Sequence, residues 1–316
     1  MSPSGLDRNE GTCASPWRTL QKALDAARPG QIVVVRAGTY RERLLASHGG
    51  RPREPITLRA AAGERVVVRG QLKITASHLR IVGLVLDGAG IASGGPLIYI
   101  AGVRRIRIER VEVRRGARSG VFVGAGSQDV TILASWIHDN GQRARRDHGI
   151  VFERGAGGAV ESTVVSRNRA VGVLIYPDFD GVIVNQNTIV SNGASGVLVG
   201  GETGTSDDVL VVNNILAYNG GQGVRTFWGG FPGMGNVATN NLIWGNREND
   251  ISRQGMTQDG NFFSSPGFAR RQSDDYHLRP RSPAVNQAIV RYTAPVDRDG
   301  RRRPAGQRPD LGAFER

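Results

Sequence analysis

Residues 183–199, "IVNQNTIVSNGASGVLV", carry the pattern on which the fold turns. A polar residue at 187, an aliphatic one at 189 and an asparagine at 192 lead into a glycine and an alternating apolar run. The same order returns in "TILASWIHDN" (131–140), "VESTVVSRN" (160–168), "LVVNNILAYN" (210–219) and "VATNNLIWGN" (237–246). The closing residues Asn140, Asn168, Asn192, Asn219 and Asn246 stand 28, 24, 27 and 27 positions apart. Five positions before each is a second polar residue: Ser135, Thr163, Asn187, Asn214 and Asn241. Short strands bounded by Gly and Asn, repeating about every 25 residues, point to a solenoid of strands rather than an array of helices.

The predicted fold is all-β: a right-handed parallel β-helix. Its coils stack about 4.8 Å apart, and equivalent positions form ladders along the stack. Asparagine at such a turn tolerates the left-handed conformation and can bond through its amide to the coils above and below, so these asparagines are read as structural. Earlier segments such as "IVVVRAG", "ITLRAA", "VVVRG", "LRIVGLVLDG" and "IRIERVEVRR" continue the strand pattern without the asparagines and are read as the first, less regular coils.

Open solenoid ends expose strand edges and need covering. Upstream, "SPWRTLQKALDAARPG" predicts a capping helix over 15–29, with Ser15 as N-cap, Pro16 in the first turn and Gly30 past the end. Leu20, Ala23, Leu24 and Ala27 share one face of it. Coils are expected over 31–263, and the Pro- and Arg-rich residues 264–316 as an extended tail running back along the solenoid, all in one domain over 1–316.

Composition narrows the functional classes. The formal charge is +13, and of the 41 basic residues all but Lys22 and Lys73 are arginine. Such a balance suits acidic partners and says nothing about fold. The run Arg301–Arg303 has no aromatics between its arginines to stack bases, so it is read as a solvated face and no nucleic-acid partner is expected. Cys13 is the single cysteine, which excludes disulfides within the chain and cysteine metal sites. No apolar run approaches the ~18 residues of a membrane span, so no membrane partner is expected. The N-terminus "MSPSGLDRNEGTC" lacks the apolar stretch of a signal peptide, leaving either a cytosolic protein or an exported one whose signal has been removed.

The N-terminal "GTCASPWRTLQKALDAARPGQIVVVRAGTYRERL", the coils ending "xxNGxxGVxV", the element "DHGIVF" and the C-terminal "SPAVNQA" and "PDLGAFE" together resemble the pectate-lyase-like right-handed β-helix proteins. That superfamily includes polysaccharide lyases, glycoside hydrolases, mannuronan epimerases, phage tailspikes and adhesins. The resemblance implies the fold and an exported, secreted or cell-surface place of action. Fold alone does not choose the reaction. An acidic polysaccharide or oligosaccharide is the expected partner, and the chain is expected to be a monomer.

Alternation on the strand after each repeat glycine separates core from surface. Ile150, Phe152, Val173, Ile175, Val197 and Val199 are expected to face inward. Glu153, Tyr176, Gly200 and Phe227 then form one outward column, with Arg154, Asp178, Asp180, Glu202 and Trp228 just beyond it. Aromatic surfaces, carboxylates and arginines on one sheet face would suit a carbohydrate groove. Beside it, "GQRARRDH" (141–148) occupies a turn where other coils place three residues, "RAV", "GAS" or "GGQ". Insertions in solenoids commonly build the binding face. His148 would stand at the groove's lip, with Asp147 beside it to orient the imidazole and raise its pKa. His138 and Asp139, at the preceding turn, are read as a polar corner.

Three readings follow. In a β-elimination lyase, His148 with Asp147 would act as base and Tyr176 as acid, while Arg143, Arg146, Arg154 and Arg225, with Phe227 and Trp228 as platforms, would hold the uronate. Lysine as base, used in several members of the superfamily, is not expected, because Lys22 lies on the lid and Lys73 several coils upstream. In an inverting hydrolase, Glu153 and Asp178 would be the carboxylate pair, their backbones roughly 8 Å apart. The third reading is a glycan-binding or structural β-helix without chemistry. Calcium is the one cofactor weighed, if Asp178, Asp180 and Glu202 approach one another.

Overall fold

A computed structural model describes every residue except 92, 93, 202, 227–232, 249 and 253. It is a right-handed parallel β-solenoid of about 8 turns. Successive strands enter three parallel sheets of ten, nine and eight strands in rotation. The register is in step from coil to coil: in the ten-stranded sheet Leu58, Ile81, Ile108, Ile132, Val160, Val184, Val211 and Ala238 stack as one column. All eight are at most 1% exposed, as are Ile150, Phe152, Val173, Ile175, Val197 and Val199 of the eight-stranded sheet. Burying each such side chain is worth about 1.5–3 kcal/mol, so the aliphatic column running through the stack is its main cohesive element.

The asparagines form two ladders. In the first, Asn140 Nδ2 donates to Asn168 Oδ1 (3.1 Å), Asn168 to Asn192 (3.0 Å), Asn192 to Asn219 (3.0 Å) and Asn219 to Asn246 (3.0 Å). In the second, Asn187, Asn214, Asn241 and Asn261 repeat the arrangement at 2.9–3.0 Å. One detail differs from expectation. The left-handed conformation belongs to the residue before each first-ladder asparagine, at Asp139, Arg167, Ser191 and Tyr218 (φ 51–59°), and not to the asparagine. The preceding residue makes the corner, which frees the amide to point inward along the stack.

The repeat glycines have a steric cause. A Cβ on Gly149 would lie 2.6 Å from the Gly172 carbonyl oxygen, and one on Gly172 would lie 2.6 Å from that of Gly196. Backbones of successive coils meet at this corner too closely for any side chain.

The capping helix is shorter than the sequence suggests, covering Leu20–Ala26 with Thr19 as N-cap. Residues before it are engaged elsewhere: the carbonyls of Ser15, Pro16 and Trp17 accept from Gly11, Leu6 and Ser2. The Asp7 carboxylate takes the Arg18 and Thr19 N–H groups. Glu42 caps the helix, each carboxylate oxygen accepting at 3.0 Å from Leu20 N or Gln21 N, where an anion is favoured by the unpaired amides. The buried face is Leu20, Ala23 and Leu24.

The tail lies along the outer face of the nine-stranded sheet. Phe268, Tyr276, Leu278, Leu311 and Phe314 pack with Val164, Val190, Ile215 and Leu242 in a second apolar cluster. The reading of Arg301–Arg303 as solvated needs correction at Arg303, whose side chain is 0% exposed and pairs with Glu315 at 2.9 Å. It also donates to the Asp310 and Gly312 carbonyls, so it closes the tail upon itself.

Candidate functional site

The outer face of the eight-stranded sheet has two margins. The insertion 141–148 occupies the corner entering the sheet, whereas Glu153, Arg154, Tyr176 and Asp178 lie at the corner leaving it. His148 and Glu153 are five residues of extended chain apart, roughly 16 Å. The structure therefore does not bring His148 and Asp147 to the Tyr176 column.

Asp147 is the anchor of the insertion. Its carboxylate accepts from the Gln142 and Arg143 amides (3.1 and 2.7 Å) and from the Arg143 guanidinium (2.8 Å). Burial alone would raise its pKa, but the Arg143 bonds hold it below the ordinary carboxylate value. Arg143 is thereby committed to the loop, while Arg146 is exposed and makes no ion pair among the described residues. His148 is buried, and its Nδ1 accepts from the Val171 N–H at 3.3 Å, which leaves the proton on Nε2. Burial pushes its pKa down to about 4, and the opposing pull of Asp147 does not prevail. The raised pKa expected of a histidine beside an aspartate is thus corrected: desolvation outweighs the neighbouring charge.

This depressed value has a measurable sign. Between pH 6.5 and about 4 the unfolded chain protonates His148 and the folded chain does not, so stability falls as pH drops through that window. The expected loss by pH 4.5 is about 2–3 kcal/mol. Urea midpoints of wild type and His148→Gln at pH 7 and 4.5 isolate it, and the substitution is expected to remove that part of the loss. An identical pH dependence in the two proteins would overturn the assignment.

At the other margin, Glu153 and Tyr176 follow paired strands, Ile150–Phe152 and Val173–Ile175, and are neighbours one coil apart. Arg154 Nη1 donates to Glu153 at 3.0 Å. The Arg154 and Gly155 amides donate to the Pro177 and Asp178 carbonyls, tying the two corners together. Asp178 is exposed and left-handed, φ 58°. Arg225 lies on the strand Val224–Thr226 and pairs with Glu248 at 3.2 Å. Phe227, Trp228 and Glu202 lie outside the described residues. Of the carboxylates weighed for calcium, Asp180 accepts from Asp207 N (2.9 Å), and the Asp207 carboxylate accepts in turn from Met234 N (2.8 Å). They cap successive coils, and among the described residues no group of three or more such ligands gathers.

His138, by contrast, belongs to the clasp under the tail. It stacks on Trp136 at 4.0 Å and lies 2.6 Å from Asp139 and 3.3 Å from Glu112. Arg167 joins Asp139 (2.8 Å) to Asp274 of the tail.

Alternation places Phe122 on the outward face, but its two partners there, Lys73 and Tyr99, were not read from the sequence. Lys73, Tyr99 and Phe122 are the middle residues of paired strands on the lower part of the same face. Their rings stack with centroids 5.5 Å apart and planes 7° apart, and the Lys73 ammonium lies 5.6 Å from the Tyr99 centroid. The strand triads "LKI", "IYI" and "VFV" carry the signal, since the middle residue of an apolar triad must face outward. Lys73 is thus several strands from Tyr176 but on the same outer face.

A family model described as "Pel9A-like, right handed beta helix region" matches residues 1–261. The uncharacterized protein YwoF of Bacillus subtilis (strain 168) is 28% identical over 224 residues, 68% of this chain and 46% of that protein. Mannuronan C5-epimerase AlgE2 of Azotobacter vinelandii is 28% identical over 243 residues, 65% of this chain and 23% of the epimerase. The chain thus spans less than half the length of these curated relatives. Among solved structures, pectate lyase Pel9A superposes with a TM-score of 0.70 at 15% identity, covering 100% of this chain and 95% of that one.

Proposed function

Because the chain belongs to the Pel9A-like right-handed β-helix family, we propose that it is an enzyme acting on a uronate-containing polysaccharide, by β-elimination, along the outer face of its eight-stranded sheet. The observation that supports this most is the row Lys73, Tyr99 and Phe122 on the same outer face as Tyr176 and Arg225. Aromatic surface and cations aligned over successive strands suit an extended acidic chain.

In the elimination, a base removes the C5 proton, the electron pair forms the C4–C5 double bond, and O4 leaves with a proton. Neutralising the uronate carboxylate makes C5 acidic enough, and Arg154 and Arg225 are assigned that task. With His148 buried and weakly basic, proton removal is assigned to Glu153 and protonation of O4 to Tyr176, which adjoin one coil apart. Such proton transfers are worth about 10²–10⁴-fold each. A polymer of this kind outside the cytoplasm would place the enzyme at or beyond the cell surface.

Removal of the C5 proton is also the first step of epimerisation, and the similarity to a mannuronan C5-epimerase makes that the second reading. A screen over uronate polymers, with and without calcium and chelator, separates the outcomes. Elimination gives an unsaturated uronate absorbing in the ultraviolet, and epimerisation changes the residue composition without cleavage. New reducing ends without that absorbance would replace elimination by hydrolysis through Glu153 and Asp178. Binding without product would leave a glycan-binding module.

A further inference from the structure

A recess of about 540 Å³ lies between Tyr218 and the tail hairpin formed by Phe268–Arg270 and Asp275–Leu278. Arg270, Arg271 and Arg279 line it, and among the described residues no carboxylate does. The two acids of the hairpin itself are occupied by other partners. Asp274 binds Arg167 and accepts from the Tyr276 hydroxyl at 3.0 Å, and Asp275 lies 2.6 Å from His277 and 3.3 Å from Arg270. Arg271 and Arg279 make no ion pair among the described residues, so the recess holds uncompensated positive charge.

Two of these cations are held in place without being neutralised. The Arg271 guanidinium lies over the Tyr218 ring, 4.3 Å from its centroid, which leaves its in-plane N–H donors free. Arg279 Nη2 donates to the Ala269 carbonyl at 3.1 Å and keeps its remaining donors. A planar guanidinium restrained in this way suits bidentate recognition of a carboxylate. Gln272, Ser265 and Ser273 add neutral hydrogen-bonding groups around the rim. The volume falls in the range that takes a small organic ligand and exceeds what a compact ion fills.

We infer that this recess is a second glycan site, which binds a carboxylated sugar unit through Arg271 and Arg279. It is separate from the Glu153, Tyr176 and Arg225 margin, since none of those residues lines it. The identity of the ligand rests on the reading above, whereas its negative charge rests on the recess alone.

The test is titration calorimetry with trigalacturonate and trimannuronate, and with cellotriose as the uncharged control. Wild type is expected to bind two acidic trimers per chain and no cellotriose. Arg271→Gln/Arg279→Gln is expected to bind one, its affinity at the other site reduced at least tenfold, with an unchanged thermal midpoint. Arg154→Gln/Arg225→Gln is expected to keep the recess site. Acidic trimer binding that is unchanged in Arg271→Gln/Arg279→Gln and lost in Arg154→Gln/Arg225→Gln would overturn the recess and leave the proposed enzyme standing. The converse pattern would leave the recess standing and overturn the sheet-face site, and failure of wild type to bind either acidic trimer would overturn both.

Discussion

Asn192→Ala is expected to lower the unfolding free energy by about 3–5 kcal/mol, among the largest effects of any single polar truncation in the chain. Its Oδ1 accepts from both the backbone and the side-chain amide of Asn168, at 3.1 and 3.0 Å. Its Nδ2 donates to the Val165 carbonyl and to Asn219 Oδ1, each at 3.0 Å. Removing the amide therefore breaks four buried hydrogen bonds, two accepted from Asn168 and two donated to Val165 and Asn219, and each buried group left short of a partner costs about 1–3 kcal/mol where no water reaches it. At the end of the ladder, Asn246 makes bonds of the same kind from a half-buried position that water can reach. Its replacement by alanine is expected to cost about 1 kcal/mol. Urea denaturation of the two variants checks the ranking, and an Asn192→Ala protein within 1 kcal/mol of wild type would refute it.

Tyr176→Phe is expected to slow formation of the unsaturated product at least about 10²-fold while trimer affinity at the sheet face changes little. Glu153→Gln is expected to behave alike. His148→Gln is expected to retain turnover within a few-fold at pH 7, because its imidazole is buried on the opposite margin and bonded to Val171. The three variants together are the check. If His148→Gln abolishes turnover and Tyr176→Phe spares it, the active margin has been placed at the wrong corner.

The ladders, the alternation and the solenoid were legible because each depends on a local signal repeated five times, and repetition removes the ambiguity of a single short strand. Two other features were not. The lower coils lack the closing asparagines, so the alignment that exposes Phe122, Glu153 and Tyr176 does not extend to Lys73 and Tyr99. Adjacency in sequence also misled at His148. "DHGIVFE" is continuous, but its first and last residues lie at opposite corners, because the strand between them crosses the whole sheet. Where the insertion stood was visible in the sequence; that Asp147 would turn inward to hold its amides was not, since that requires the fold of the loop. The start of the capping helix was misread for a similar reason, because the residues before Thr19 are paired with the N-terminal segment.

The tail along the nine-stranded sheet has a consequence for the order of events at synthesis. Each coil bonds to the coil before it, so the stack can grow as the chain emerges, one turn at a time. The tail cannot take part until several coils exist: Ser162 Oγ donates to the Val296 carbonyl 134 positions away, and Ala313 N to Thr188 Oγ1, 125 positions away. It is therefore the last piece to dock, and it docks only on coils already in register. A stack that slips by one residue would present the wrong side chains to Phe268, Tyr276 and Leu311. The strap thus acts as an inspection step, fastening correctly wound coils and leaving miswound ones open.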